Sequence, residues 1–176
     1  MCIRDSDPTN PRSLALVADM LDELLPHFHS RKLNVGCDEV WDLGLGKSRA
    51  DCDARGRERV YLDFLLEVHK LASERGCTMH FWGDIVIQKP ELLKELPDDA
   101  VALKWDYEVG DPFAEHTALL ADAGVRFYVC PGTSSWRSFL GRTDNCLTNI
   151  ADALAQGAAH GAEGMLVTEW GDQGYW

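Results

Sequence analysis

Two adjacent carboxylates, Asp38 and Glu39, close a short apolar run, Lys32-Leu33-Asn34-Val35-Gly36-Cys37. Paired acids perform general acid and base chemistry when their surroundings keep one protonated while the other is ionised. The flanking Val40 and Trp41 would strip water from the pair, which disfavours the charged form and lifts one acid toward a useful value. Two solvated charges on a turn are the bland alternative; the apolar setting favours the catalytic reading. Successive side chains of a regular strand point to opposite faces, so Asp38 and Glu39 serve one pocket only where the strand ends and the chain turns. Gly36 permits that bend, and the loop from Trp41 onward supplies the exit.

The same pairing of acid and aromatic recurs downstream. Trp82 precedes Asp84, Trp105 precedes Asp106 and Trp170 precedes Asp172, each near the end of an apolar run; a further run carries Tyr128 and leads on to Trp136. A single tryptophan at a strand end reads as core packing. Repetition at equivalent positions points instead to a ligand platform: indole faces stack on sugar rings and carboxylates bond hydroxyls, which makes a carbohydrate the natural occupant, with a flat apolar ligand as the other. A third chemistry would use Asp38, Glu39, Asp84 and Asp172 as oxygen ligands for a hard cation.

The elements that must position these residues follow from periodicity. Asn10-Pro11 reads as a helix cap and first turn, followed by Leu14, Val17, Ala18, Leu21, Leu24, Leu25 and Phe28 at helical spacing until about 26–29. A strand is predicted at 33–37, then a helix at 57–75 burying Val60, Phe64, Leu65, Val68, Leu71 and Ala72 and stopped by Gly76. Strands at 77–82, 100–105, 126–130 and 164–168 alternate with helical segments at 90–96, 112–123 and 145–160. Five strands alternating with helices imply parallel βαβ units, and acids and aromatics gathered at the ends of parallel strands suit the C-terminal face of a (β/α)8 barrel. The loop 131–142, with Ser134, Ser135, Trp136 and Arg137, reads equally as a structural turn and as a substrate contact.

Composition sets the outer bounds. With 45% hydrophobic residues in 176, the chain can bury one real core. Seventeen basic against 29 acidic residues give a net charge of -12, which argues against nucleic acid or an anionic membrane surface and suits a neutral or cationic small ligand. No apolar run reaches the roughly 18 residues of a transmembrane helix. The six cysteines show neither CxxC nor zinc spacing, and Cys37, Cys77 and Cys130 fall in apolar runs, as reduced buried thiols do. Residues 1–6, Met-Cys-Ile-Arg-Asp-Ser, read as translated sequencing adapter and are set apart from the fold; the compartment, cytoplasmic or exported, stays open.

Taken together, these residues resemble glycoside hydrolase family 20, the β-N-acetylhexosaminidases and their relatives. The run from Leu33 to Glu39 resembles the family's His-Ile-Gly-Gly-Asp-Glu motif, with Asn34 in place of the histidine and Cys37 in place of the second glycine. Trp82, Trp105, Tyr128 and Trp170-Gly171-Asp172 resemble its aromatic cage and terminal Trp-x-Glu; Cys130 stands where an acid is common and Asp172 where glutamate is usual. The resemblance implies an α/β fold in which 7–176 form a truncated (β/α)8 barrel, about strands four to eight, the first three being absent. It implies retaining, substrate-assisted removal of terminal N-acetylhexosamine from β-linked glycans, without metal or organic cofactor. Glu39 would then be the general acid, Asp38 would orient the 2-acetamido group, Tyr128 would bond its carbonyl, Trp82, Trp105 and Trp170 would wall the pocket, and Asp172 would bond outer hydroxyls. A non-catalytic carbohydrate-binding barrel would carry the same tryptophans without a working acid pair, and a (β/α)8 hydrolase of other specificity would keep the acids in a different pocket.

Overall fold

The computed structural model describes residues 7–171. Five parallel strands alternate with helices, and the strands neighbour one another in sequence order. The chain divides into two compact units, Met1–Val101 and Ala102–Trp176.

In the first unit, Asn10 caps α1 (Pro11–Leu24): its side-chain oxygen accepts the Arg12 N–H at 3.0 Å, and Pro11 occupies the first turn, where a missing N–H costs nothing. A 3-10 turn, Leu25–His27, ends the helix where the sequence places its stop. The first strand, β1 (Lys32–Asn34), is shorter than the apolar run predicts. Asn34 turns its side chain back to accept the Gly36 N–H at 2.9 Å, and Gly36 and Cys37 take φ of 75° and 68°, so ladder geometry stops at Asn34. The chain nonetheless stays tied to the next strand: Val35 N–H donates to the His80 carbonyl at 2.9 Å, and Trp82 N–H to that of Gly36 at 3.0 Å.

A short helix, α2 (Arg49–Arg55), takes up the end of the expected loop and is separated by Gly56 from α3 (Arg57–Glu74). The latter buries Val60, Tyr61, Leu62, Phe64, Leu65, Val68 and Ala72, and Gly76 turns the chain at φ 67°, as its place after the helix predicts. Strand β2 (Thr78–Trp82) pairs with β1 in parallel, Leu33 opposite Met79, and is buried from Met79 onward, as a strand covered on both faces must be. Leu62, Met79 and Phe81 have no exposed surface, and burying each contributes about 1.5–3 kcal/mol. Asp84–Ile87 forms the short α4, and 90–96 is a 3-10 segment, Pro90–Glu95, in place of the expected helix. Pro90 at its start has no N–H to give, and the segment closes in tight three-residue steps, Leu92 N–H donating to the Lys89 carbonyl at 2.9 Å and Leu96 N–H to that of Leu93 at 3.3 Å.

The division between units falls within β3 (Val101–Trp105). In the second unit, α5 (Phe113–Asp122), β4 (Arg126–Cys130), α6 (Thr143–Ala159) and β5 (Gly164–Met165) follow, with Gly124 at φ 71° after α5. Phe113, Leu120, Phe127, Val129 and Ala153 form the core of this unit. Lys104, also buried, is matched by the Asp106 carboxylate and lies 5.0 Å from the Phe113 ring centroid. Strand β5 pairs with β4 in parallel, Tyr128 opposite Gly164, and is shorter than its predicted 164–168. Its partner runs into Pro131, which has no N–H to donate; pairing resumes as a single bridge between Gly132 and Thr168.

No helix among the described residues is long and apolar enough to cross a membrane. Cys37, Cys52, Cys77 and Cys130 are buried free thiols, and Cys146 is half-buried.

Candidate active site

Asp38 and Glu39 sit where β1 gives way to a turn, both half-buried. The turn is built from residues that L side chains seldom allow: Cys37 has φ 68° and Glu39 φ 47°, so left-handed backbone flanks Asp38 on both sides. Such geometry costs of order 1–3 kcal/mol per residue and persists only where neighbours enforce it. Here they do. The buried Tyr61 of α3 donates its hydroxyl to the Cys37 carbonyl at 2.9 Å, and the Glu39 N–H donates to the Asp84 carboxylate at 3.1 Å. Burial pushes the Cys37 thiol up to about 12, so it remains a neutral thiol beside the acids. Burial likewise pushes the Tyr61 phenol above its ordinary range, and it keeps the proton it donates.

Glu39 lines a cavity of about 750 Å³ together with Val40, Trp41, Leu45, Lys47 and Tyr61. Trp41 does not strip water from the acids as its position suggests, for it is 62% exposed. After the left-handed Glu39 the chain folds tightly, Trp41 N–H reaching the Glu39 carbonyl at 2.7 Å, and Arg57 takes the Val40 carbonyl at 3.1 Å. These bonds hold the backbone and leave the indole in solvent. Trp82, at the end of β2, is buried, with its N–H held by Gly36.

The second unit gathers aromatic rings. Trp105 at the end of β3 stacks on Tyr107, with centroids 5.3 Å apart and planes at 21°. Tyr107 and Trp136 meet edge to face, with centroids 5.1 Å apart and planes at 83°, and the Tyr107 hydroxyl oxygen accepts the Trp170 indole N–H at 2.9 Å. Tyr107 thus joins Trp105 and Trp170, two residues the sequence singled out, to Trp136. Tyr128 stands on Gly164: a Cβ there would lie 2.7 Å from its ring. Gly132 likewise makes room for Trp136, whose ring a Cβ would meet at 2.4 Å. The loop after β4 is therefore structured around an aromatic contact, with Thr133 and Ser135 hydroxyls donating to the Glu169 carboxylate beside Trp170. Asp172 lies outside the described residues.

Tyr107, Tyr61 and Asn149 escaped the sequence reading. Tyr107 had a weak signal, two positions after Trp105 at a strand end. Asn149 had a better one: it precedes Ala153 and Gly157 on the buried row of α6. Tyr61 has none, because a tyrosine on a helix face declares nothing about the carbonyl it will reach 24 residues away. Among the described residues, no three His, Cys, Asp or Glu side chains converge in a group that could hold a metal.

Neither a family model nor a curated protein matches the sequence. Solved structures do. The chitobiase of Flavobacterium johnsoniae (FjGH20) superposes with a TM-score of 0.62 at 16% identity, over 96% of this chain and 26% of that one. The N-acetyl-beta-hexosaminidase of Streptomyces plicatus, in complex with Thio-NAglucal, matches with a TM-score of 0.49 at 19% identity, over 71% of this chain and 21% of that one. The chain thus spans about a quarter of the length of the solved structures it matches. At such identity the likeness speaks for architecture. The chain has an α/β fold of parallel strands and helices that forms part of a (β/α) barrel, the architecture it shares with a family 20 chitobiase.

Proposed function

We propose that this protein is a glycoside hydrolase that removes terminal N-acetylhexosamine from β-linked glycans by a retaining, substrate-assisted mechanism. The observation that carries the proposal is the enforced turn at Cys37 to Glu39, which sets two carboxylates at the C-terminal end of a parallel strand in a chitobiase-like fold. Parallel barrels keep their chemistry at that end of their strands.

In this reading Glu39, as the acid, gives its proton to the glycosidic oxygen while the carbonyl oxygen of the sugar's own acetamido group attacks C1. The C1–oxygen bond breaks, the aglycone leaves as the alcohol, and an oxazolinium ring carries the positive charge. Asp38 orients the acetamido N–H and stabilises that charge. Glu39, now ionised, takes a proton from the water that attacks C1, and the ring reopens with the original configuration. Tyr128 bonds the acetamido carbonyl, Trp82, Trp105 and Trp170 offer apolar faces to the sugar, and Asp172 bonds its outer hydroxyls. The ring cluster around Tyr107 supports adding Trp136 to these walls.

The test compares an aryl 2-acetamido-2-deoxy-β-glucoside with the matching 2-hydroxy glucoside, using the natural full-length protein and its Asp38→Asn variant. Strong preference for the acetamido substrate, lost in the variant, is the expected result. Equal turnover of both would assign a glycosidase of another mechanism. Tight sugar binding with no turnover of either would assign a carbohydrate-binding barrel.

A further inference from the structure

The proposed acid and its neighbour stand on a turn that their own backbone preferences oppose. Cys37 and Glu39 carry side chains, yet both adopt left-handed φ, 68° and 47°. Asp38 lies between them. A β-carbon crowds the following carbonyl in this region, so the arrangement needs outside restraint.

Two long-range hydrogen bonds supply it, one on each strained residue. The Tyr61 hydroxyl reaches the Cys37 carbonyl across 24 residues, and the Asp84 carboxylate takes the Glu39 N–H across 45. Their supports differ in kind. Tyr61 is 5% exposed on α3, whose buried residues also include Leu62, Phe64 and Leu65. Asp84 opens α4, separated from Trp82 by Gly83 alone, and β2 is itself bonded to the Gly36 carbonyl through the Trp82 N–H. Each bond therefore ties the turn to a different element. With both in place the peptide planes before and after Asp38 are fixed, and so is the direction in which Asp38 and Glu39 leave the backbone.

We propose that Tyr61 and Asp84 are positioning residues that hold the Asp38–Glu39 turn in its left-handed form. The catalytic meaning of this clamp rests on the glycosidase reading given above; its existence does not. Neither side chain needs to touch substrate. A carboxylate is suited to the second place because it accepts a backbone N–H more strongly than a neutral group would, and a phenol to the first because it donates without carrying charge into a buried position.

The experiment measures amide hydrogen exchange and hydrolysis of the aryl acetamido glucoside side by side, in the natural full-length protein and in Tyr61→Phe, Asp84→Ala and Asp84→Asn. Tyr61→Phe removes one hydroxyl and keeps the packing; Asp84→Asn keeps an acceptor oxygen. The expected result is faster exchange of the peptide covering 36–41, by about tenfold in Tyr61→Phe and Asp84→Ala, with β1 and β2 unchanged and Asp84→Asn close to the parent. Turnover should fall about tenfold in the first two with KM held, and recover in Asp84→Asn. Unchanged exchange at 36–41 in both Tyr61→Phe and Asp84→Ala overturns the clamp, whatever the activity. Faster exchange with unaltered turnover overturns its positioning role. Should the parent protein fail to hydrolyse the probe, the glycosidase reading falls, and the exchange rates still decide whether the clamp exists.

Discussion

Two glycines shape the aromatic half of the molecule by the atoms they lack. At Gly164 a Cβ would fall 2.7 Å from the Tyr128 ring, closer than carbon atoms approach, so alanine forces the ring aside. If Tyr128 bonds the acetamido carbonyl, Gly164→Ala should lower kcat/KM for the acetamido glucoside by about tenfold, a loss near 1.4 kcal/mol, and should lower the thermal midpoint as well, because the displaced ring must repack. Steady-state kinetics beside a melting curve checks both halves of that expectation. The buried thiols give a second residue-scale test. Burial pushes Cys37 and Cys130 up to about 12, from an unfolded value near 9. A group whose pKa is raised on folding keeps its full contribution below the unfolded value and loses it as pH climbs toward the folded one. Stability should therefore hold to about pH 8.5 and then fall by up to about 1.4 kcal/mol per pH unit for each thiol. Urea midpoints between pH 8 and 10.5 read this directly, and a flat profile would mean that the thiols are not desolvated.

Helix α6 works as a rack for the loops around the rings. Asn145 and Asn149 sit one turn apart: the Asn145 amide donates to the Tyr107 carbonyl at 2.6 Å and to the Ser134 hydroxyl at 2.7 Å. The Asn149 amide donates to the Asp106 and Glu108 carbonyls, both at 3.3 Å, while its oxygen accepts the Gly132 N–H at 3.1 Å. Asn149 is 1% exposed, so an apolar replacement strands buried backbone groups that water cannot reach. Asn149→Leu should cost about 2–3 kcal/mol in urea denaturation and loosen the Gly132 loop, whereas Asn145→Ala, at a half-buried position, should cost less. At this scale the sequence was legible wherever one chemical pattern decides one element. Apolar runs and glycine stops place all five strands and the four long helices, and Asn10-Pro11 marks the first cap to the residue. It was not legible where a side chain competes with the backbone ladder or where partners are distant. Asn34 ends β1 early because its side chain prefers the Gly36 N–H to solvent, and an apolar run does not announce such competition. The site follows the same rule. Asp38 and Glu39 stood out as a pair, while Tyr61 and Tyr107 acquire their significance only from the atoms that folding brings to them.

Across the whole molecule, each of the two units exposes several large apolar side chains among the described residues. On α1, Leu16, Met20 and Leu24 recur every four residues at 53, 40 and 48% exposure, continued by Phe28 at 55%, while Leu21 and Leu25 supply its buried face. In the other unit, Leu147 and Leu154 on α6 are 62 and 52% exposed, and Met165, Leu166 and Val167 about β5 are each near two-fifths exposed. Exposed apolar side chains that recur along a helix face favour association. Opposing it is the net charge of -12, which makes copies repel. The two effects respond oppositely to salt. Raising ionic strength to about 0.5 M shortens the Debye length to a few ångströms and removes most of the repulsion, while apolar contact is left intact or strengthened. The 176-residue chain should therefore self-associate at concentrations of order 10 µM, and more strongly in high salt. Replacing Leu16 and Leu24 by lysine should weaken that association at both salt concentrations, since it removes the stripe as well as changing charge. Sedimentation velocity across a salt series separates the cases. Association that weakens with salt would assign it to ion pairs, and a monomer at every salt concentration with a cooperative unfolding transition would show that the exposed stripes are carried without cost.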